Sequence, residues 1–281
     1  MNSITEFLGL GSYLDWDEDK RRIWLREQLA SRRPLLPRRT NKSNSLDKLG
    51  FSATVTDTLA TFQLAAEIGN GSLGAYVISQ CQQASDVLAV LLLQQDAGVN
   101  PELRVVPLFE TLDDLERSHH VINALFSMPE YLSRIDGKQE IMVGYSDSAK
   151  DAGRFAAAWA QYMAQEEMVK VGRNKNVELT FFHGKGGTVG RGGNPAVFRA
   201  ILAHPPNTIN GRFRVTEQGE MITQNFGLVG IAERTLDLFT SGVLAEQFTP
   251  RPEPKAEWRQ VMEDLSEISC DAYRGETDIR D

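Results

Sequence analysis

The chain has 281 residues, of which 41% are apolar, 24% charged and 8% aromatic, enough apolar material to bury a core and too much for a disordered tail or a disulfide-stapled miniprotein. Its 30 Lys and Arg against 38 Asp and Glu leave a formal charge of −8, a field that repels phosphate backbones and argues against general nucleic-acid binding. Only Cys81 and Cys270 occur; their wide separation gives no metal knuckle or disulfide framework, so both are expected as buried thiols in a reducing compartment.

Residues 1–50 read as a helical lead-in followed by an Arg- and Pro-rich connector. From Asp15 to Leu29, Trp16, Ile23, Trp24 and Leu29 sit among charges in a helical stretch. Arg32, Arg33, Arg38 and Arg39 then cluster with Pro34 and Pro37, and in so acidic a chain this is best taken as a solvated connector. The opening residues lack a basic patch followed by an apolar stretch, so no secretory signal is expected and a cytoplasmic home is. The longest aliphatic run, Val87 to Leu93, falls far short of the roughly 20 residues that span a bilayer.

Residues 51–281 read as a partial βα-barrel region. Strand-like runs over 75–79, 103–109, 141–145, 177–182 and 212–216 alternate with helical ones over 84–95 and 154–171. In the second helix, Trp159 and Met163 belong to an apolar stripe and are assigned packing, not chemistry. This is the rhythm of successive βα units. The fold class expected is α/β, helix-rich, an incomplete (β/α)8 TIM-like barrel with extra helices, since five units do not close a barrel.

Polar residues gather where these strands end: Glu110, Asp147, His183, and Glu217 with Glu220. The carboxyl edge of a parallel sheet is where ligands bind, because strand ends and helix N-termini converge there. The segment from His183 to Pro195 holds six glycines in 13 residues, with Lys185 and Arg191 among them; it reads as an anion cradle, but it is neither a Walker loop nor a strict dinucleotide fingerprint. In Tyr145-Ser-Asp-Ser-Ala-Lys-Asp-Ala-Gly153, Asp147 and Asp151 offer oxygens and Lys150 a charge, while Ser148 or Asp151 would equally serve as the cap of a helix starting at Arg154. Asp113 and Asp114 are first-turn acids favoured by a helix dipole. Glu110 with Asp147 would seat a Mg²⁺ or Mn²⁺ whose other positions belong to water and substrate. His119, His120 and His204 have no zinc-like spacing and are read as surface or packing residues.

Several long motifs, in order, resemble the phosphoenolpyruvate carboxylase family: Ile4-Thr-Glu-Phe-Leu-Gly-Leu-Gly-Ser-Tyr13, Ser85-Asp-Val-Leu-Ala-Val90, Val106-Pro-Leu-Phe-Glu-Thr-Leu-Asp-Asp-Leu115, Val143-Gly-Tyr-Ser-Asp-Ser-Ala-Lys-Asp-Ala-Gly153, the segment from His183 to Pro195, and Arg214-Val-Thr-Glu-Gln-Gly-Glu-Met221. The resemblance implies divalent-metal-dependent carboxylation of phosphoenolpyruvate by bicarbonate to oxaloacetate and phosphate. It implies Glu110 and Asp147 as metal ligands, His183 as the histidine assisting the carboxyphosphate or CO₂ intermediate, Leu108 and Met142 around the substrate's methylene, Arg191 as an anion-binding arginine, and Lys150 in the metal loop. A homo-oligomer or association with carboxylase subunits is also implied.

Lys185 stands where the family has arginine, replacing a planar fork with a point charge. Measured against the family, Met1 falls in mid-chain and Asp281 precedes later catalytic arginines. A segment with little or no turnover alone is therefore expected, the alternative being a non-catalytic partner of full-length subunits.

Overall fold

The computed structural model describes residues 1–31, 33–37, 49–69, 71–185, 196–249 and 252–277. They form two units, Met1–Val106 and Pro107–Asp281.

The first unit contains α1 (Asn2–Phe7), a 3₁₀ turn (Tyr13–Asp15), α2 (Glu18–Ala30), α3 (Ala53–Ile68), β1 (Ala75–Ile78), α4 (Ala84–Ala97) and the start of β2 (Arg104–Phe109). The predicted helix from Asp15 begins three residues later because the Asp17 side chain accepts the Lys20 N–H at 2.8 Å and caps α2 there. Tyr13, Trp16 and Trp24 form a ring cluster beside it, with centroids 5.4 to 6.5 Å apart. Helix α2 packs on α4, and Glu18 accepts both the Ser85 hydroxyl (2.6 Å) and its backbone N–H (3.0 Å). Gln94 closes the helix–strand turn: its amide donates to Leu103 O (3.1 Å) and accepts from Leu103 N (2.7 Å). In the connector, Leu35 and Leu36 are buried and the Leu35 N–H donates to Asp96 at 2.6 Å, so this part of it is packed, not solvated. Arg32, Arg38 and Arg39 lie outside the described residues.

The second unit continues through α5 (Leu112–Phe126), α6 (Pro129–Ile135), β3 (Lys138–Gly144), α7 (Ser146–Asn174), β4 (Glu178–Gly184), α8 (Ala196–Leu202), β5 (Arg214–Val215), α9 (Gly219–Phe226), α10 (Val229–Phe248) and α11 (Ala256–Thr277). The strands follow in the order β1-β2-β3-β4-β5, parallel from β2 to β3, β3 to β4 and β4 to β5. The protein is thus α/β and helix-rich, with an open parallel sheet whose order ends at β1 and β5. This is a coarser result than the barrel expected.

Side-chain alternation sorts the strands. Val105, Phe109, Ile141, Val143, Leu179 and Phe181 are buried, whereas Leu108, Met142 and Phe182 are half-buried on the other face. Helix α5 starts at a capping box in which Thr111 and Asp114 bond each other's backbone, with Asp113 beside it in the first turn.

Helix α7 is two arms joined at Gly153, whose φ of 76° admits glycine readily. The arm from Arg154 is the one expected, and a short arm from Ser146 precedes it. Neither Ser148 nor Asp151 is a cap; both lie inside the first, short arm. A Cβ at Gly153 would lie 2.9 Å from the Tyr273 ring on α11, so the kink also makes room for that helix. Further along, Trp159 Nε1–H donates to Glu263 at 2.6 Å, and Arg259 grips the buried Glu166 through two bonds of 2.5 and 2.7 Å. Cys81 is buried as expected; Cys270, on α11, is only half-buried. Among the described residues no helix is long and apolar enough to cross a membrane.

Candidate functional site

Strands β2 and β3 end side by side, with Leu108 in register with Met142 and Phe109 with Val143. The next residue after β2 is Glu110. Beside it stands Gly144, where an added Cβ would lie 3.0 Å from Glu110 Cα, 3.2 Å from its Cγ and 3.3 Å from its Cβ. A residue without a side chain is what lets the two strand ends come this close.

Asp147 follows in the first turn of α7, where the helix dipole favours a negative charge. Its carboxylate meets the Glu110 side chain within hydrogen-bonding reach. That bond, and next the one from Lys150, hold Asp147 below the usual carboxylate range. Lys150 Nζ lies 3.1 Å from Asp147 Oδ1, with the two side chains 74% and 46% exposed, so solvent screens this pair.

The turn between β3 and α7 is tied down from behind. Buried Gln161 donates its amide to Gly144 O at 3.0 Å and to Ser148 Oγ at 2.9 Å, and Gln165 donates to Gln161 O at 2.9 Å. Ser148 therefore belongs to the support of this turn.

His183, near the end of β4, is 1% exposed. Its Nδ1 lies 3.0 Å from Tyr145 Oη, which joins the imidazole to the turn that bears Asp147. The ring packs on His204 (4.3 Å between centroids) and Phe213 (5.1 Å). Lys185 Nζ stands over the rings of Tyr145 and Phe213, at 5.3 and 6.0 Å.

Burial first, then His204 and Lys185, push the His183 pKa well below its ordinary value, and burial followed by Lys185 pushes His204 down to about 3. Burial likewise lowers Lys185 and raises Tyr145. Both imidazoles are therefore neutral at pH 7. His204, read from sequence as a surface or packing residue, is indeed packed, but against the candidate imidazole. Nothing local in the sequence signalled this, because β5 and the turn before it bring the two together.

Across the sheet, Leu108, Met142, Phe182 and Arg214 fall in one row by register. The Arg214 guanidinium lies 4.0 Å from the Phe182 ring centroid and pairs with buried Glu140. Gly184 completes the close packing here, for a Cβ on it would meet Met142 Cε at 2.9 Å. Arg191 and the rest of the glycine-rich segment from Gly186 to Pro195 lie outside the described residues. Glu217 and Glu220 follow β5, and burial raises the Glu217 pKa. Among the described residues no group of three or more His, Cys, Asp or Glu is placed to hold a metal ion, so any seat at this edge rests on two carboxylates.

Comparison with known proteins bears on this arrangement. The profile of the family described as phosphoenolpyruvate carboxylase matches residues 1–279. The phosphoenolpyruvate carboxylase of Stutzerimonas stutzeri (strain A1501) is 53% identical over 272 residues, covering 97% of this chain and 30% of that protein. That of Ectopseudomonas mendocina (strain ymp) is 50% identical over 275 residues, and that of Acinetobacter baumannii (strain ATCC 17978) 48% over 274, each covering 98% of this chain. The chain spans 30% of the length of these relatives.

Proposed function

The chain belongs to the phosphoenolpyruvate carboxylase family, and on that footing we propose that it carries the metal-binding edge and the imidazole of an enzyme that adds bicarbonate to phosphoenolpyruvate, giving oxaloacetate and phosphate. The observation that carries this reading is the meeting of Glu110 and Asp147 at the ends of adjacent strands. Two carboxyl groups this close at one sheet edge would suit a divalent cation, whose charge offsets both. A seat of only two carboxylates fits Mg²⁺ or Mn²⁺, which keep water and substrate oxygens around them. Glu110 and Asp147 would hold the ion, which when bound neutralises charge on phosphoryl and enolate oxygens.

The remaining residues divide the work. His183, neutral and shielded, acts as proton acceptor for the carboxyl group that becomes CO₂. In the tautomer that donates Nδ1–H to Tyr145 Oη, its Nε2 is left as the basic nitrogen. Lys185, Lys150 and Arg191 balance the phosphate and bicarbonate charges, and Leu108 and Met142 give the enolate carbon and CO₂ an apolar wall that excludes water. The open sheet is then one arc of a (β/α)8 barrel. With the arc open, Asp147 and Lys150 stand in solvent, where fixed charges stabilise a transition state weakly. The chain by itself accordingly turns over little or not at all.

Lys185 supports a second reading, a non-catalytic partner of full-length carboxylase subunits, because an ammonium lacks the two-pronged grip of a guanidinium. Titration of the 281-residue chain with Mn²⁺, followed by the electron paramagnetic resonance of the free ion, tests the main reading. Uptake that is lost in Glu110→Gln and in Asp147→Asn is expected; unaltered uptake in both variants would sink it. Oxaloacetate formation coupled to malate dehydrogenase checks the isolated chain, and brisk turnover would refute its inactivity. Splicing the segment into a full-length relative and changing Lys185 to Arg separates the two readings, since a large gain favours the non-catalytic partner.

A further inference from the structure

Asp151 lies four residues beyond Asp147, on the same short arm of α7, and its carboxylate is engaged by other partners. One oxygen, Oδ2, accepts the backbone N–H of Leu112 at 3.1 Å, two residues beyond Glu110. The other, Oδ1, receives Arg274 Nη2 at 3.0 Å, and Arg274 Nε reaches Asp151 O at 3.2 Å. Arg274 sits near the end of α11, next to Tyr273, the residue against which Gly153 is packed. Helix α11 therefore grips the arm at two adjacent points, through a ring on its kink and a guanidinium on its carboxylate.

We propose that Asp151 is a positioning residue: its carboxylate ties the segment carrying Glu110 to the arm carrying Asp147, and Arg274 on α11 holds that carboxylate in place. The proposal deepens the metal-site reading above and rests on it. Because the Arg274 and Asp151 side chains are 48% and 34% exposed, their pairing adds little to stability. Its effect falls instead on the separation of two ligands, and supporting groups of this kind govern metal affinity by roughly tenfold or more.

Mn²⁺ titration of the full 281-residue chain provides the test, with thermal midpoints and amide hydrogen exchange of residues 110–113 and 146–153 measured alongside. Asp151→Ala is expected to weaken Mn²⁺ binding about tenfold, to speed exchange in both segments, and to move the midpoint by no more than about 2 °C. Asp151→Asn keeps an oxygen for Leu112 and recovers most of the affinity, and Arg274→Met gives a smaller loss that is not additive with Asp151→Ala. Wild-type affinity in Asp151→Ala would overturn the proposal. If the wild-type chain takes up no Mn²⁺, the metal reading fails; exchange then decides the tie by itself, and unchanged protection of both segments overturns it.

Discussion

Replacing Gly144 with Ala tests the geometry of the carboxylate pair without touching either carboxylate. The new methyl would stand 3.0, 3.2 and 3.3 Å from Glu110 Cα, Cγ and Cβ, against about 3.5–4.0 Å for carbon atoms at rest. One of those contacts is main chain, so a change of rotamer cannot relieve it. Glu110 and the end of β2 must back away from β3 by several tenths of an ångström. Overpacking of this kind costs about 2 kcal/mol, which for a chain of this size lowers the thermal midpoint by roughly 4–8 °C. The displaced carboxylate should also weaken Mn²⁺ binding by at least about tenfold. Gly230→Ala is the control, since nothing lies within 4 Å of a Cβ there, and it should leave both quantities unchanged or slightly raise the midpoint. Calorimetry and Mn²⁺ titration on the two variants decide the matter. A Gly144→Ala protein with wild-type melting and wild-type Mn²⁺ affinity would refute the close approach of the two strand ends.

Two further outcomes are expected. Arg259→Ala strands the buried Glu166 carboxylate that Arg259 now holds by two bonds, and should destabilise the fold by about 3 kcal/mol in urea unfolding; a loss no larger than an exposed pair's would show that the two helices do not depend on it. The pKa of His204 is about 3 in the folded chain against an ordinary 6.5, and that of His183 is lowered too. Unfolding therefore takes up protons below about pH 6.5, so stability is full above that pH and drains as the pH falls toward 3. The midpoint should drop between pH 7 and pH 5, and His204→Phe should lose less of it; identical pH profiles for the two proteins would contradict the burial of this ring beside His183 and Lys185.

Local pattern makes much of the fold legible. All five strand runs contain or overlap a strand of the sheet, and Asp113 and Asp114 do occupy a first helical turn. Gly153 does interrupt the helix, and the arm from Arg154 stands where local spacing puts it; the arm from Ser146 ahead of it is too short to show helical periodicity. Arginines and prolines dominate the connector and point to solvent, but Leu35 and Leu36 are buried, which composition does not reveal.

For the site, the sequence by itself determined which residues stand at strand ends and which motifs ally the chain with a family, because alternation and helical spacing are properties of neighbours along the chain. Tertiary structure alone decided that Glu110 and Asp147 meet across a missing side chain at Gly144, that His204 lies on His183, and that Arg274 reaches back to Asp151. Each of these contacts joins residues far apart in sequence, and their distances follow from strand register and helix packing, which no single segment encodes.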